Sequence, residues 1–283
     1  MKKSVNKLII ENICLLIPLI VYAIYKNGFL IYQKGLINIF GIFKPLYLVI
    51  ISIIIKTVID LIKYKKIKID YNFVYVILIS MIMPYNINII LYTITFSILY
   101  FLSLIIEKYI NLNKVCYISL IIILINFTFN DFTYFNPLEQ NYTFKFEFLD
   151  YLFGRNIGSI STTSIMFSLL SFIYLINNYY YKKDIPFFIN ITYIILAFIY
   201  LFITNNSSYL LNSELIFASI FIAPLPLYSP YKGFNQIIYA ISIGIISFII
   251  SIISNSILAT YIAIFIVSTI SLLLTRLNLT KNS

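Results

Sequence analysis

Histidine is absent from this sequence of 283 residues, and cysteine occurs only as Cys14 and Cys116. The two thiols form no Cys-x-x-Cys and have no imidazole to join. That excludes haem, zinc and cysteine-ligated cluster sites built from this chain alone. Both lie inside apolar runs and read as two buried apolar thiols, not a disulfide. Charge is scarce as well: 11% of the residues are charged and 61% are hydrophobic, where soluble domains carry roughly 25% charged residues. A soluble protein so apolar could not cover its own surface, whereas in a bilayer the lipid-facing residues need no polar cover. Acidic residues are the scarcest, 10 against 20 basic, for a net charge of +10. The basic residues sit at the edges of apolar runs and form no compact amphipathic face. This excludes a nucleic-acid partner and suits loops held near anionic headgroups.

What remains is a series of long apolar runs. A crossing helix needs roughly 20 apolar residues. The runs are Leu8–Tyr25, Pro45–Ile62, Tyr71–Met83, Ile87–Ile106, Val115–Phe129, Ile157–Ile176, Phe187–Ile203, Glu214–Pro224, Gln236–Ser254 and Ile257–Thr275. Tyr71–Met83 and Glu214–Pro224 are too short to cross straight. Both stop at proline, which removes a backbone donor and disfavours helix in the residue before it. The first run follows Lys2, Lys3 and Lys7 but carries Glu11 and ends without a small-x-small site, so it reads as an uncleaved first span.

Orientation follows from the lysines. With the N-terminus inside, the cytoplasmic stretches hold Lys2, Lys3, Lys7, Lys63, Lys65, Lys66, Lys68, Lys108, Lys114, Lys182, Lys183, Lys232, Arg276 and Lys281. The opposite side holds Lys26, Lys34, Lys145 and Arg155. This asymmetry places both termini on the cytoplasmic side. The expected fold is all-α: a polytopic integral membrane protein of about ten segments in the lipid bilayer. The domain organisation is a single membrane domain over 1–283, with a first half 1–129, an outside loop 130–156 and a second half 157–283. Each half contains a short segment, a proline break and a long segment. Interrupted segments at matching places in two halves point to a site near the repeat interface.

Charged residues within apolar runs are functional suspects. Glu11, Lys44, Lys56, Asp60 and Glu214 qualify, though each lies near a span end where snorkelling accounts for it equally well. Glu214, at the start of the second short segment, is the first to test. The stretch Gly154–Ser164 stands out by its two glycines followed by Ser159, Ser161, Thr162, Thr163 and Ser164. Hydroxyls and free N–H groups at a helix N-terminus suit an anion or a ring carbonyl. A loop with a Ser/Thr N-cap has the same composition, and the residues alone leave both readings open.

Two stretches in order carry a family resemblance. Gly158-Ser159-Ile160-Ser161-Thr162-Thr163-Ser164 resembles the Gly-Ser-x-Gly-Glu-Thr-Ser of the RnfD family, membrane components of Rnf-type electron transport complexes. Phe221-Ile222-Ala223, Pro226, Ser229-Pro230, Lys232-Gly233 and Ile238-Tyr239 resemble that family's Phe-x-Ala-Thr-Asp-Pro-x-x-Ser-Pro and Lys-Gly stretch. Asp70-Tyr71-Asn72-Phe73 leading to Met83-Pro84 is similar to its third segment. NqrB, from the sodium-pumping NADH:quinone oxidoreductase, is a close relative of that family. The sequence departs from the pattern at Ser161-Thr162, where the family has Gly-Glu, and at Pro224-Leu225, where it has Thr-Asp. The Ser-Gly-Ala-Thr motif that carries covalent FMN in the family is missing.

The resemblance implies a membrane component of an Rnf-type complex that couples electron transfer to ion translocation in the cell inner membrane. Its partners would be other membrane and peripheral subunits of that complex, and its cofactor FMN or riboflavin, which supplies the redox chemistry. Gly158, Ser159, Thr162, Thr163 and Ser164 would hold a non-covalent flavin. Thr143 would be the position for covalent FMN, an attachment that the missing motif does not support. No catalytic residue and no metal ligand is implied. The alternative is a small-solute transporter or channel-like protein on the same scaffold, and a third reading is a structural membrane partner.

Overall fold

A computed structural model describes residues 2–35, 37–67, 69–129, 148–205, 209–230, 233–254 and 256–281. The described residues are helices joined by turns. In the first half these are α1 (Lys2–Ala23), α2 (Leu30–Gln33), α3 (Lys44–Tyr64), α4 (Tyr71–Ile82), α5 (Ile89–Ile106) and α6 (Lys114–Phe129). After the short α7 (Phe148–Phe153) come α8 (Ile165–Ile176), α9 (Asp184–Thr204), α10 (Ser213–Phe221), α11 (Phe234–Ser254) and α12 (Ala259–Lys281). Of the expected loop over 130–156, only the part from Phe148 onward is described; Thr143 and Lys145 lie outside the described residues, as do Lys68 and Lys232.

Among the described residues, five helices are long and apolar enough to cross a membrane: Lys7–Gln33, Ile39–Tyr64, Ile89–Ile106, Asp184–Thr204 and Phe234–Ser254. Tyr71–Ile82, Lys114–Phe129, Ile165–Ile176 and Ala259–Leu274 are shorter apolar helices. The protein is thus an all-helical, multi-pass membrane protein. The two short, proline-broken segments fall where expected. Helix α4 ends at Met83, whose backbone is extended at φ −63°, ψ 149°, the conformation that a following proline favours. Helix α10 is capped by the Asn212 side chain, which accepts from the Leu215 N–H at 3.0 Å. It closes with the Ile222 and Ala223 N–H groups on the Ala218 carbonyl, ahead of Pro224.

The packing recurs between the halves. Helix α4 packs on α1, α3 and α6, α3 on α5, and α5 on α6. In the second half α10 packs on α8, α9 and α12, α9 on α11, and α11 on α12. The halves touch through α1 with α8 and through α6 with α12. Each short helix therefore sits among the same partners, and this is what brings the polar residues of the second half together.

Four expectations need correction. The span expected over Ile157–Ile176 is helical only from Ile165; residues 157–164 are irregular because their backbone groups bond elsewhere in the protein. Irregular backbone at membrane depth is tolerated when it is buried in this way. The first span does not end at Tyr25. It runs on through a π-helical stretch, Ile24–Phe29, into α2, so Lys26 is buried inside the protein and is not part of an outer loop. Cys14 is exposed, on the same outward stripe of α1 as Ile10, Ile17 and Val21; only Cys116 is a buried thiol. Lys56 and Asp60 do not snorkel. Both are buried, with Lys56 Nζ 2.7 Å from Asp60 and 3.2 Å from Asp70 and 3.6 Å from the centroid of the Phe73 ring.

That ion pair extends across the start of α4. Asn72 donates to Asp70 at 2.9 Å and accepts from Lys114 at 3.2 Å, while Lys114 meets Glu107 at 2.5 Å. Charged groups from α3, α5 and α6 thereby converge on the first turn of a short helix that has few residues of its own to anchor it. Pairing and hydrogen bonding are what make such buried charges tolerable.

The packing makes two predictions. A Cβ at Gly28 would lie 2.2 Å from the Ile42 carbonyl oxygen, a backbone atom that cannot move aside. Gly28→Ala should cost about 1–3 kcal/mol, read as a lower thermal midpoint in detergent. Lys182 lies in the turn between α8 and α9 and donates to the Ser229 carbonyl and hydroxyl at 2.9 and 2.6 Å. Burial pushes its pKa down to about 8 from the usual 10.5. Between those values the unfolded chain binds more protons at this site than the native protein does, so the native state gains stability as pH rises. Comparing Lys182→Met with the parent should remove that rise in the thermal midpoint above pH 8.

Candidate functional site

The residues leading to α8 are positioned by two glycines. Gly154 adopts φ +78°, and a Cβ there would meet the backbone of Ser164 at 2.8 Å. A left-handed backbone conformation with so close an approach suits glycine. The chain then turns inward. Asn156, Ser159, Ile160, Ser161, Thr162, Thr163 and Ser164 are all buried. The Ile160 N–H donates to the Met83 carbonyl at 2.8 Å and the Ser161 N–H to the Met81 carbonyl at 3.3 Å. Carbonyls at the C-terminal end of a helix have no partner within it. The irregular segment and the broken end of α4 therefore satisfy one another. Asn27, in the π-helical stretch, donates to the Ile160 carbonyl at 2.5 Å.

Against this segment lies Glu214, in the first turn of α10, where the helix dipole favours a carboxylate. It is 2% exposed, so water does little to stabilise its charge and protein donors must do so. Its Oε1 accepts from the Ser159 N–H at 2.7 Å and from the Thr162 hydroxyl at 2.6 Å. Its Oε2 accepts from the Tyr261 hydroxyl of α12. A Cβ at Gly158 would stand 2.7 Å from Oε1 and 2.6 Å from Thr163 Cγ2, so glycine is needed here for the carboxylate to come in. Lys26 reaches the same loop with its ammonium, donating to the Asn156 carbonyl at 2.9 Å and the Thr163 hydroxyl at 3.1 Å. The Asn156 side chain in turn donates to Ser213 at 2.8 Å. One buried cation and one buried anion thus grip a single loop. Beside Glu214 is a cavity of about 160 Å³ whose walls include Tyr151, Asn156, Tyr193, Tyr209, Ser213 and Ser251.

This arrangement decides whether the segment could hold the flavin phosphate that the sequence resemblance implies. The N–H groups of Ser159, Ile160 and Ser161 and the Thr162 hydroxyl donate within the protein, and the Thr163 hydroxyl accepts from Lys26. The Ser164 hydroxyl accepts from the Phe167 N–H at 3.5 Å, as an N-cap. A carboxylate occupies the place where an anion would sit. Gly158, Ser159, Thr162, Thr163 and Ser164 do come together, but around Glu214, and they do not fit a phosphate. Among the described residues, no group of three or more His, Cys, Asp or Glu side chains could hold a metal ion.

Glu214 is the one charged suspect from the sequence that joins this centre. Lys26, Asn27, Asn156 and Tyr261 join it without having been singled out by sequence reasoning. The polar triplet Lys26-Asn27-Gly28, inside an otherwise apolar stretch, is the signal for the first two. Nothing local distinguishes Tyr261 among 26 tyrosines.

In comparisons with known proteins, the family model described as "NQR2, RnfD, RnfE family" matches residues 1–282. No curated protein matches.

The geometry predicts that Gly158→Ala displaces the Glu214 side chain. The Ser159 N–H and the Thr162 hydroxyl would then be left without their acceptor, at about 1–3 kcal/mol for each buried group unsatisfied. The thermal midpoint in detergent should fall accordingly, while Gly233→Ala, which meets nothing within 4 Å and bears only the strain of its left-handed φ of +75°, about 1–2 kcal/mol, should lose less. Equal losses in the two variants would refute the close approach.

Proposed function

The chain belongs to the NQR2, RnfD, RnfE family, and from that premise we propose that it is the RnfD-like member of an Rnf-type complex in the cell inner membrane, with both termini cytoplasmic. The family match supports a membrane component of an ion-translocating electron transport complex, working alongside other subunits. The Rnf assignment rests on the two motif stretches, and the orientation on the lysine asymmetry. In this reading, iron–sulfur or flavoprotein partners carry the electrons, and this chain contributes the ion-handling part of the membrane domain. The sequence lacks the Ser-Gly-Ala-Thr motif and the 158–164 segment has no place for a phosphate, so no redox step is assigned to its own residues.

The observation that carries the reading is the buried Glu214 centre. A carboxylate kept from water inside a membrane protein is costly and marks ion or proton handling. The broken helix ends favour the same view over an open pore. Met81, Ile82 and Met83 at the end of α4, and Phe221, Ile222 and Ala223 at the end of α10, are all buried. Both breaks are packed inside the protein.

Affinity purification of the full chain from its native membranes tests this. The expected result is copurification of iron–sulfur or flavin-containing subunits, with no flavin fluorescence on the band of this chain in a denaturing gel. Recovery of the chain without any redox partner would overturn the assignment. A fluorescent band would overturn the statement that it carries no phosphoester-linked flavin.

A further inference from the structure

Glu11 is a charged residue in an apolar run that the Glu214 centre does not use. It lines a pocket of about 340 Å³ between the start of α1 and the end of α8, whose walls include Lys7, Tyr174, Asn178, Tyr179 and Tyr180. That size falls within the roughly 300–1,000 Å³ of small-molecule sites. The pocket holds one charge of each sign at unequal depth: the Glu11 side chain is 13% exposed and that of Lys7 76%. Lys7 Nζ stands 3.8 Å from Glu11 Oε1, too far for a hydrogen bond. Asn178 donates to the other oxygen, Oε2, and its own side-chain oxygen accepts from the Tyr180 N–H at 3.0 Å, so the amide is held with its N–H toward Glu11. Among the described residues, Oε1 accepts no hydrogen bond. A carboxylate oxygen so little exposed needs a donor, and the C-terminal end of α8 adds partial negative charge that favours a cation there.

The surface below the pocket identifies the source of the ligand. From Lys7 the exposed stripe of α1 continues through Ile10, Cys14, Ile17 and Val21, and on α8 the exposed Leu170 lies one turn from Tyr174. In a membrane protein such apolar surface faces acyl chains, and tyrosines gather where those chains meet the headgroups. The pocket is thus polar at the membrane face and runs on into apolar surface toward the interior. We propose that it binds a phospholipid whose headgroup carries a primary ammonium, as phosphatidylethanolamine does. The ammonium donates to Glu11 Oε1, the phosphate lies beside Lys7, and an acyl chain follows the Ile10–Cys14–Ile17 stripe. The pairing of charges selects this headgroup. A primary ammonium supplies the charge-assisted N–H that Oε1 lacks. The trimethylated nitrogen of phosphatidylcholine has no N–H, and phosphatidylglycerol brings no cation to the carboxylate.

The inference stands on the membrane assignment and does not depend on the Rnf reading, so either can fail without the other. Cys14 is exposed on the stripe, one turn from Glu11, whereas Cys116 is buried, so a thiol-reactive fluorophore reports from beside the pocket. The labelled full chain is placed in phosphatidylcholine nanodiscs, and lipids with brominated chains, which quench on contact, replace the matrix lipid stepwise. Brominated phosphatidylethanolamine should reach half-maximal quenching at a mole fraction about tenfold below that of brominated phosphatidylcholine or phosphatidylglycerol with the same chains, the ratio that one charge-assisted hydrogen bond gives. Glu11→Gln, which keeps an acceptor for Asn178, should bring the three lipids to one value while the maximal quenching stays the same. Equal mole fractions in the parent, or a preference that survives Glu11→Gln, overturn the proposal. A preference for brominated phosphatidylglycerol also overturns it, leaving a basic surface that reads charge alone. Free O-phosphoethanolamine in the buffer should leave the quenching unchanged; reversal of the quenching would overturn the lipid as ligand in favour of a soluble one.

Discussion

A carboxylate that water hardly reaches must be met by protein donors, and around Glu214 that requirement goes with the inward course of the segment between α7 and α8. The donors come from three directions: the backbone of Ser159, the hydroxyl of Thr162 and the phenol of Tyr261. For the first two to arrive, the chain between α7 and α8 must stay out of helix and run inward. For it to run inward, its own N–H groups need partners, and the broken end of α4 supplies them through the Met81 and Met83 carbonyls. The proline break of one half thus makes the carboxylate site of the other possible. In the aligned motif the family has Glu where this chain has Thr162; here the carboxylate comes from α10 and Thr162 is its donor.

The first half shows the same logic with different chemistry. Asn72 occupies the first turn of α4 as Glu214 does that of α10, and it links Asp70 to Lys114. Around it the charges alternate, from Asp60 through Lys56 to Asp70 and from Lys114 to Glu107. Short helices bury little apolar surface of their own, so their anchoring falls to polar groups at their N-termini. The difference is that the first cluster pairs its charges directly. The second separates Lys26 from Glu214 by the loop they both hold, which leaves room beside the carboxylate.

The membrane assignment, the span order and both proline breaks are legible in the sequence because lysine placement, apolar run length and proline act locally. The course of residues 157–164 is not. Their composition continues an apolar run, and what stops the helix is a left-handed Gly154 together with carbonyls some eighty positions away in sequence. Lys26 is hidden for a related reason. A Lys-Asn-Gly triplet looks like a loop, and only the π-helical continuation of α1 turns Lys26 inward. Lys56 and Asp60 look like snorkelling residues because nothing in a single segment reveals that Asp70 and Phe73 close over them. Glu214 is visible as a charge in an apolar run, but its three donors come from distant positions that only the fold assembles.

The contact between Glu214 and the irregular segment holds this arrangement together, and a double-mutant cycle measures it. Unfolding free energies of the parent, Thr162→Val, Glu214→Leu (which has no acceptor for the Thr162 hydroxyl) and the double variant, taken under one set of detergent conditions, isolate the pairwise coupling. Hydrogen bonds between membrane segments average about 0.6 kcal/mol in such cycles, with a maximum of about 1.7, and a bond to a charged group belongs near the upper end. The expected coupling is therefore about 1 kcal/mol or more. Additive losses, with no coupling between the two sites, would contradict a carboxylate held by the irregular segment.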